Sequence, residues 1–259
     1  MSTVTQRVNS IKQPWGGYIR ASQFNKQLLD DGKLLNPIEN VHPSIVGMAV
    51  DYLTRFMINQ DIKQSFSVSY RGAEVAEKLK KKTKKEFEKY ISNIRGLDKV
   101  SIINACKVVT YDVWYRNLGQ ALYVQTAKDT NPDFATIENI QIMVERGITF
   151  WEKFGPIIEE GFTFEPTGYT KTVSAGDGDF LTKDTLWDFK VSESKLNRKQ
   201  TLQILMYWIM GQNSGKEEFK NISKLGIYNP RLNIVYTLDV NNISPETIKE
   251  VETTVICYE

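Results

Sequence analysis

Between Leu202 and Met210 the chain is apolar on nearly every side of a helix: Leu202, Ile204, Leu205, Met206, Trp208, Ile209 and Met210 leave almost no face for solvent. A helix of that kind has to be buried, which demands further layers of structure around it. The run is far below the roughly 20 residues that a membrane span requires. Strand-type runs stand on both sides of it. Thr172 to Thr182 and Thr185 to Val191 read as a hairpin about Lys183-Asp184, and Lys224 to Tyr228 with Asn233 to Val240 read as a second strand pair about Asn229-Pro230. A helix from Lys199 to Met210, closed by Gly211, separates the pairs, and a last helix begins with Ser244 as N-cap and Pro245 at its first position. The expected fold class is α/β, with a mixed central sheet flanked by helices.

The part before residue 161 has a different character. Residues 1–160 are expected to form a mainly helical region packed on a core of residues 161–259. Residues 1–41 read as irregular, with turn signals at Pro14, Gly16-Gly17, Gly32 and Pro37. Helices are then expected from Pro43 to about Met57, from Ala73 to Arg95, from Leu97 to Leu118, and from Ala135 to Glu160 with breaks near Gly147 and Gly155-Pro156. Phe162 to Glu165 reads as a short strand before a turn at Pro166-Thr167-Gly168.

Scarce residues narrow the chemistry. His42 is the only histidine, and Cys106 and Cys257 are the only cysteines. Histidine-based zinc centres and four-cysteine clusters are thereby excluded within one chain. Two distant cysteines and an N-terminus without an apolar signal-peptide core point to a reducing cytoplasm. With 33 basic and 31 acidic side chains the net charge is only +2, so nucleic-acid binding would need a local patch, and no membrane partner is expected. Catalysis would rest on carboxylates, lysine and bound metal.

Such groups converge in the first hairpin. If its loop is centred on Lys183-Asp184, facing residues sum to 367: Leu181 faces Leu186, Phe180 faces Trp187 and Asp179 faces Asp188. Two carboxylates opposed across a sheet repel, and a divalent cation between them turns that repulsion into ligation. Alternation along the strand puts Lys190 on the same face as Asp188. On the helix that follows, Gln200, Gln203 and Tyr207 fall in one stripe, and buried amides and a phenol need polar partners.

Three segments carry a resemblance. Gly176-Asp177-Gly178-Asp179, Asp188-Phe189-Lys190 and Gln203-Ile204-Leu205-Met206-Tyr207 resemble, in order and spacing, the Gly-x-x-Asp, Asp-x-Lys and Gln-x-x-x-Tyr motifs of the PD-(D/E)XK nuclease superfamily, closest to its RecB-like branch. The resemblance spans about 35 residues. It implies a restriction-endonuclease-like core in which Asp179, Asp188 and the backbone carbonyl of Phe189 bind Mg²⁺ or Mn²⁺. Lys190 would orient or deprotonate the attacking water, Gln203 would position Lys190 or the water, and Tyr207 would support the helix or touch the phosphate. The implied activity is cleavage of DNA, with RNA as the alternative substrate. The family's additional acidic or histidine ligand on an earlier helix corresponds best to Asp51, after Gly47, with Glu145 as its rival. No motor and no cluster cysteines accompany the motifs, so the expectation is a simple endo- or exonuclease, in phage defence, mobile-element maintenance or repair. A second expectation is a nuclease-like fold that has lost turnover and serves as a nucleic-acid-binding or protein-interaction module in phage-host conflict. Protein partners are not specified.

Other features have bland readings beside functional ones. His42, just before Pro43, reads as a helix cap. Lys78, Lys80, Lys81, Lys82, Lys84, Lys85 and Lys89 form either a phosphate-contacting run or a solvated face interleaved with Glu74, Glu77, Glu86 and Glu88. Tyr111, Trp114, Tyr115 and Tyr123 are either core or base-stacking residues.

Overall fold

A computed structural model of the protein describes residues 2–79, 81 and 84–258. In chain order its elements are β1 (Ser2–Thr3), α1 (Val4–Ser10), β2 (Asn25–Leu28), α2 (Pro43–Asn59), α3 (Ile62–Ser65), α4 (Ser67–Lys78), α5 (Lys84–Ile91), α6 (Lys99–Val109), α7 (Asp112–Arg116) and α8 (Phe134–Phe154). There follow β3 (Glu159–Thr163), β4 (Val173–Ala175), β5 (Asp177–Leu181), β6 (Thr185–Phe189), α9 (Arg198–Gln212), β7 (Lys224–Asn229), β8 (Ile234–Asp239) and α10 (Pro245–Glu250), which runs into a π-helical segment, Val251–Ile256. Among the described residues no helix is long and apolar enough to cross a membrane.

The chain divides into two compact units, residues 2–29 with 151–258 and residues 30–150. This departs from the expected boundary at 160/161, and the N-terminal stretch is the reason. Residues 2–29 are not merely irregular: Thr3 and Gln6 form a capping box that starts α1. Val4 and Val8, one turn apart, enter the same apolar cluster as α9. β2 then pairs antiparallel with β8 as an edge strand, all four of its residues exposed.

The larger sheet has the order β2-β8-β7-β6-β5-β3. Every neighbouring pair is antiparallel except β6 with β7. A parallel pair needs a crossover connection, and α9 supplies it. The expected α/β class with a mixed sheet is present. One face of the sheet carries Leu181, Leu186, Leu225 and Ile227 against Leu202, Leu205, Met206 and Ile209 of α9. The opposite face is aromatic: Phe180 and Trp187 meet Trp151, and Phe189 meets Tyr228. All five residues of β6 are therefore buried.

Gly226 is the neighbour of Trp187 across the β6–β7 ladder, and the indole ring lies where its Cβ would be, 2.2 Å away. A Gly226→Ala substitution should destabilise the protein by about 1–3 kcal/mol through overpacking, read as a lower urea midpoint at unchanged slope. An unchanged midpoint would show that Trp187 can move aside.

In the helical unit α2 matches its expected span, but two long helices are broken. The expected charged helix from Ala73 to Arg95 is α4 followed by α5, and the helix from Leu97 to Leu118 is α6 followed by α7. After the second break α7 packs on α4 so closely that only glycine fits: the Tyr111 carbonyl oxygen lies 2.0 Å from where a Cβ on Gly72 would stand. Asp112, buried, accepts hydrogen bonds from the Tyr52 hydroxyl at 2.5 Å and the Ser69 hydroxyl at 2.5 Å, tying α2, α4 and α7 together. Burial pushes its carboxyl up to about 6. α8 runs unbroken past Gly147 and belongs to this unit as far as Phe150.

Candidate functional site

The hairpin closes as its sequence suggests. Leu181 pairs with Leu186 and Phe180 with Trp187, and the Thr182 amide donates to the Thr185 carbonyl at 3.0 Å around Lys183-Asp184. Backbone pairing of β5 with β6 ends there, so Asp179 and Asp188 are not a ladder pair. Instead the Asp179 carboxylate reaches across and accepts from the Phe189 amide at 2.8 Å. This brings it beside Asp188 by a side-chain route.

Strand alternation explains why Asp188 is buried. It shares the α9 face with Leu186, in a strand covered on both sides, and retains 1 % of its exposure. Lys190, two residues on, places its ammonium 2.9 Å from Asp188 Oδ1. The other carboxylate oxygen, Oδ2, is buried with no hydrogen-bond donor facing it. Burial raises the Asp188 carboxyl above the usual range, Lys190 opposes the rise and Asp179 adds to it. For Lys190 burial acts downward, but Asp188 and Asp179 outweigh it and hold the ammonium charged above its ordinary range.

α9 brings two more of the expected residues. Gln203 donates its amide to the Tyr207 hydroxyl at 2.7 Å. Burial raises the Tyr207 phenol, with Lys190 opposing and Asp188 and Asp179 reinforcing the shift, so it remains a neutral donor. Gln200, the third member of the stripe, does different work: its side chain accepts from the Asn197 amide at 3.0 Å and completes the capping box of α9.

The loop after Lys190 is held by a residue read from the sequence only as part of a turn. Asn229, 3 % exposed, donates to the Ser192 carbonyl at 2.7 Å and accepts from the Arg231 amide at 3.0 Å. The Lys190 amide in turn donates to the Tyr228 carbonyl at 2.9 Å. The signal available was the Asn-Pro dipeptide, which marks a turn but not the second bond made by a buried amide.

Formally the cluster holds two carboxylates and one ammonium, a net negative charge in a largely dry place. An orphaned carboxylate oxygen and excess negative charge suit a hard divalent cation, which needs only one or two protein carboxylates beside water and phosphate oxygens. Asp179 and Asp188 could hold such an ion. Among the described residues no group of three or more His, Cys, Asp or Glu side chains gathers as a metal site. The two residues expected as a further ligand lie in the helical unit with cationic partners: Asp51 accepts from Arg55 at 2.9 Å, one turn on, and Glu145 from Lys33 at 2.6 Å.

His42 caps α2, its Nδ1 accepting from the Ser44 amide at 3.2 Å. Tyr111 and Trp114 are core, whereas Tyr115 and Tyr123 are exposed. Lys80 and Lys82 lie outside the described residues, and Lys84, Lys85 and Lys89 are on α5. No family model, no curated protein and no solved structure matches the chain.

Proposed function

We propose that the protein is a metal-dependent nuclease of the PD-(D/E)XK type that hydrolyses phosphodiester bonds of DNA. One observation carries the reading: Asp188 is buried with an oxygen that no donor satisfies, beside a second carboxylate and a lysine on the same face. Lys190 satisfies only one oxygen of the pair, and leaving the other buried without a donor costs about 1–3 kcal/mol, which selection for stability alone would tend to remove.

Asp179 and Asp188 would hold Mg²⁺ or Mn²⁺, with the Phe189 carbonyl as the neighbouring backbone donor. When bound, such an ion supplies Lewis acidity, acidifying water and offsetting charge on the scissile phosphate. The chain's own groups do the rest. Lys190 keeps a fixed positive charge at the site, where negative charge grows on the phosphoryl oxygens during attack. Its raised pKa makes it an electrostatic stabiliser and orienting donor rather than a base at neutral pH. Tyr207 accepts from Gln203 and keeps its own proton to donate to an anionic oxygen, and Gln203 acts as a positioning residue through it. Asn229 restrains the loop that follows Lys190.

The test is incubation with linear, circular and single-stranded DNA and with RNA, in Mg²⁺, Mn²⁺ or EDTA, beside Lys190→Ala. Metal-dependent cutting that falls about 10²–10³-fold in the variant, the usual loss of a charge stabiliser, is the expected result. Absence of cutting on every substrate by folded protein would transfer the assignment to a binding module. A second readout does not need turnover. Mn²⁺ at 100 times its dissociation constant should stabilise the protein by about 2.7 kcal/mol, and Asp188→Asn should lose that gain. An equal Mn²⁺ response in wild type and variant would remove the metal from this site.

A further inference from the structure

An exposed aromatic residue stands on an anchored loop next to the N-terminus of α9. Trp15 is 88 % exposed, and the Arg20 guanidinium lies over its ring at 5.7 Å. The loop beneath it is fixed at several points. The Gly17 amide donates to the Pro14 carbonyl at 2.9 Å, and Gly16 and Gly17 take φ of 84° and 91°, a region that side chains rarely adopt. A Cβ on Gly17 would stand 2.9 Å from Cβ of Arg198, the first residue of α9. Ile19 is fully buried, and its carbonyl accepts from the Thr201 hydroxyl on α9 at 2.8 Å. Lys199 adds a further tie, donating to Asn9 at 2.7 Å. The tryptophan is thus displayed by a loop anchored on both sides.

Cations gather at this loop: Arg20 lies over Trp15 and Arg198 packs against Gly17. Residues 1–29 contain Arg7, Lys12, Arg20 and Lys26 and no Asp or Glu, and residues 194–203, which open α9, contain Lys195, Arg198 and Lys199 and again no Asp or Glu. The contacts just described bring these two acid-free segments together, in a chain whose overall charge is nearly balanced. The patch adjoins the helix that carries Gln203 and Tyr207, Arg198 lying five residues, about 7.5 Å of helix axis, before Gln203.

From this we infer that Trp15 and Arg20 form a seat for an unpaired nucleotide: the indole stacks on the base while Arg20, together with Arg198 packed against the same loop, takes the phosphate. An aromatic face plus a positive track is what single-stranded nucleic acid requires, because every base offers a π-face and every link a charge. A paired base shows only its edges and has no face to offer. The inference rests on the nuclease reading only in taking the bound strand to be the substrate.

The seat is tested by fluorescence anisotropy of labelled 12-mers, unpaired DNA, unpaired RNA and duplex DNA, with the full chain in EDTA at several salt concentrations. Trp15→Ala should weaken binding of the unpaired strand by roughly 5- to 150-fold, the range for one stacked base, while Trp15→Phe retains most of the affinity. Arg20→Gln should flatten the salt dependence by about 0.7 in log–log slope, one phosphate contact's share. Tighter binding of DNA or of RNA identifies the strand's sugar. Unpaired strands bound equally by wild type and Trp15→Ala, no binding of unpaired strands, or duplex bound more tightly than either would overturn the seat. So would Trp15-dependent self-association in sedimentation without nucleic acid. Cleavage is scored separately: weakened binding in Trp15→Ala with no cutting by wild type keeps the seat and discards the nuclease, and the opposite pattern does the reverse.

Discussion

Asp188→Asn should reduce metal-dependent cleavage by at least about 10³-fold, the equivalent of some 4 kcal/mol of transition-state stabilisation, while leaving DNA binding in EDTA within a few-fold of wild type. The substitution preserves the shape of the buried side chain and removes its charge, so it subtracts the proposed cation's ligand without opening a cavity. Its effect on folding should be opposite in sign to its effect on activity. In the folded protein burial raises the Asp188 carboxyl above its unfolded value, so the folded state holds the proton more tightly. Stability contributed at this position is present at low pH and falls as pH rises from the unfolded carboxylate range through the folded one. The Asn variant should lose that decline and equal or exceed wild type in stability at pH 8. A variant that cuts at the wild-type rate would sink the mechanism, and one that is inactive because it has unfolded would be recognised by its melting temperature.

Lys190→Met should be the most destabilising change at the site. It strands Asp188 with Asp179 as its only charged neighbour in the cluster, and the expected cost at pH 8 is about 3 kcal/mol, the low end for an uncompensated buried charge because the lysine side chain is 29 % exposed. The loss should shrink as pH falls, since protonated Asp188 no longer needs a cation. Asp112 in the helical unit, pushed up to about 6, contributes its own pH slope, but identically in wild type and variant, so the difference between them isolates the cluster. The double variant Asp188→Asn/Lys190→Met should recover most of the loss, giving a coupling of about 2 kcal/mol or more in a double-mutant cycle. Additive effects, or a loss that persists at pH 5, would mean that Lys190 supports the fold through packing of its stem alone.

What the sequence makes legible follows from the range of the interactions involved. The hairpin register was readable because the two-residue loop at Lys183-Asp184 sets the pairing of Leu181 with Leu186 and Phe180 with Trp187. The burial of α9 was readable because seven apolar residues surround its axis. Asp188 and Lys190 share a face by alternation, and Gln203 meets Tyr207 because residues four apart on a helix are neighbours. The start of α1 was also written locally, in Thr3-x-x-Gln6, but two valines one turn apart are too weak a period to stand out before the α9 cluster is known to receive them.

Elsewhere the deciding partners lie far along the chain. β2 carries no apolar pattern, since an edge strand with exposed residues is held by backbone hydrogen bonds to β8, some two hundred residues later. The break between α6 and α7 answers to Gly72 on α4, and the role of Asn229 answers to Ser192. Asp179 turned from the ladder to the Phe189 amide because the strands part beyond Phe180 and Trp187.

The sequence by itself determined the class of the sheet-bearing unit, the hairpin turn, the buried helix and the neighbour pairs Asp188–Lys190 and Gln203–Tyr207, since each depends on periodicity or on neighbours within a few residues. Tertiary structure alone decided that Asp188 keeps an unsatisfied oxygen, that β2 completes the sheet, and that the loop carrying Trp15 packs against Arg198 through Gly17. Those outcomes depend on which distant segments share a surface, and local propensity carries no information about that.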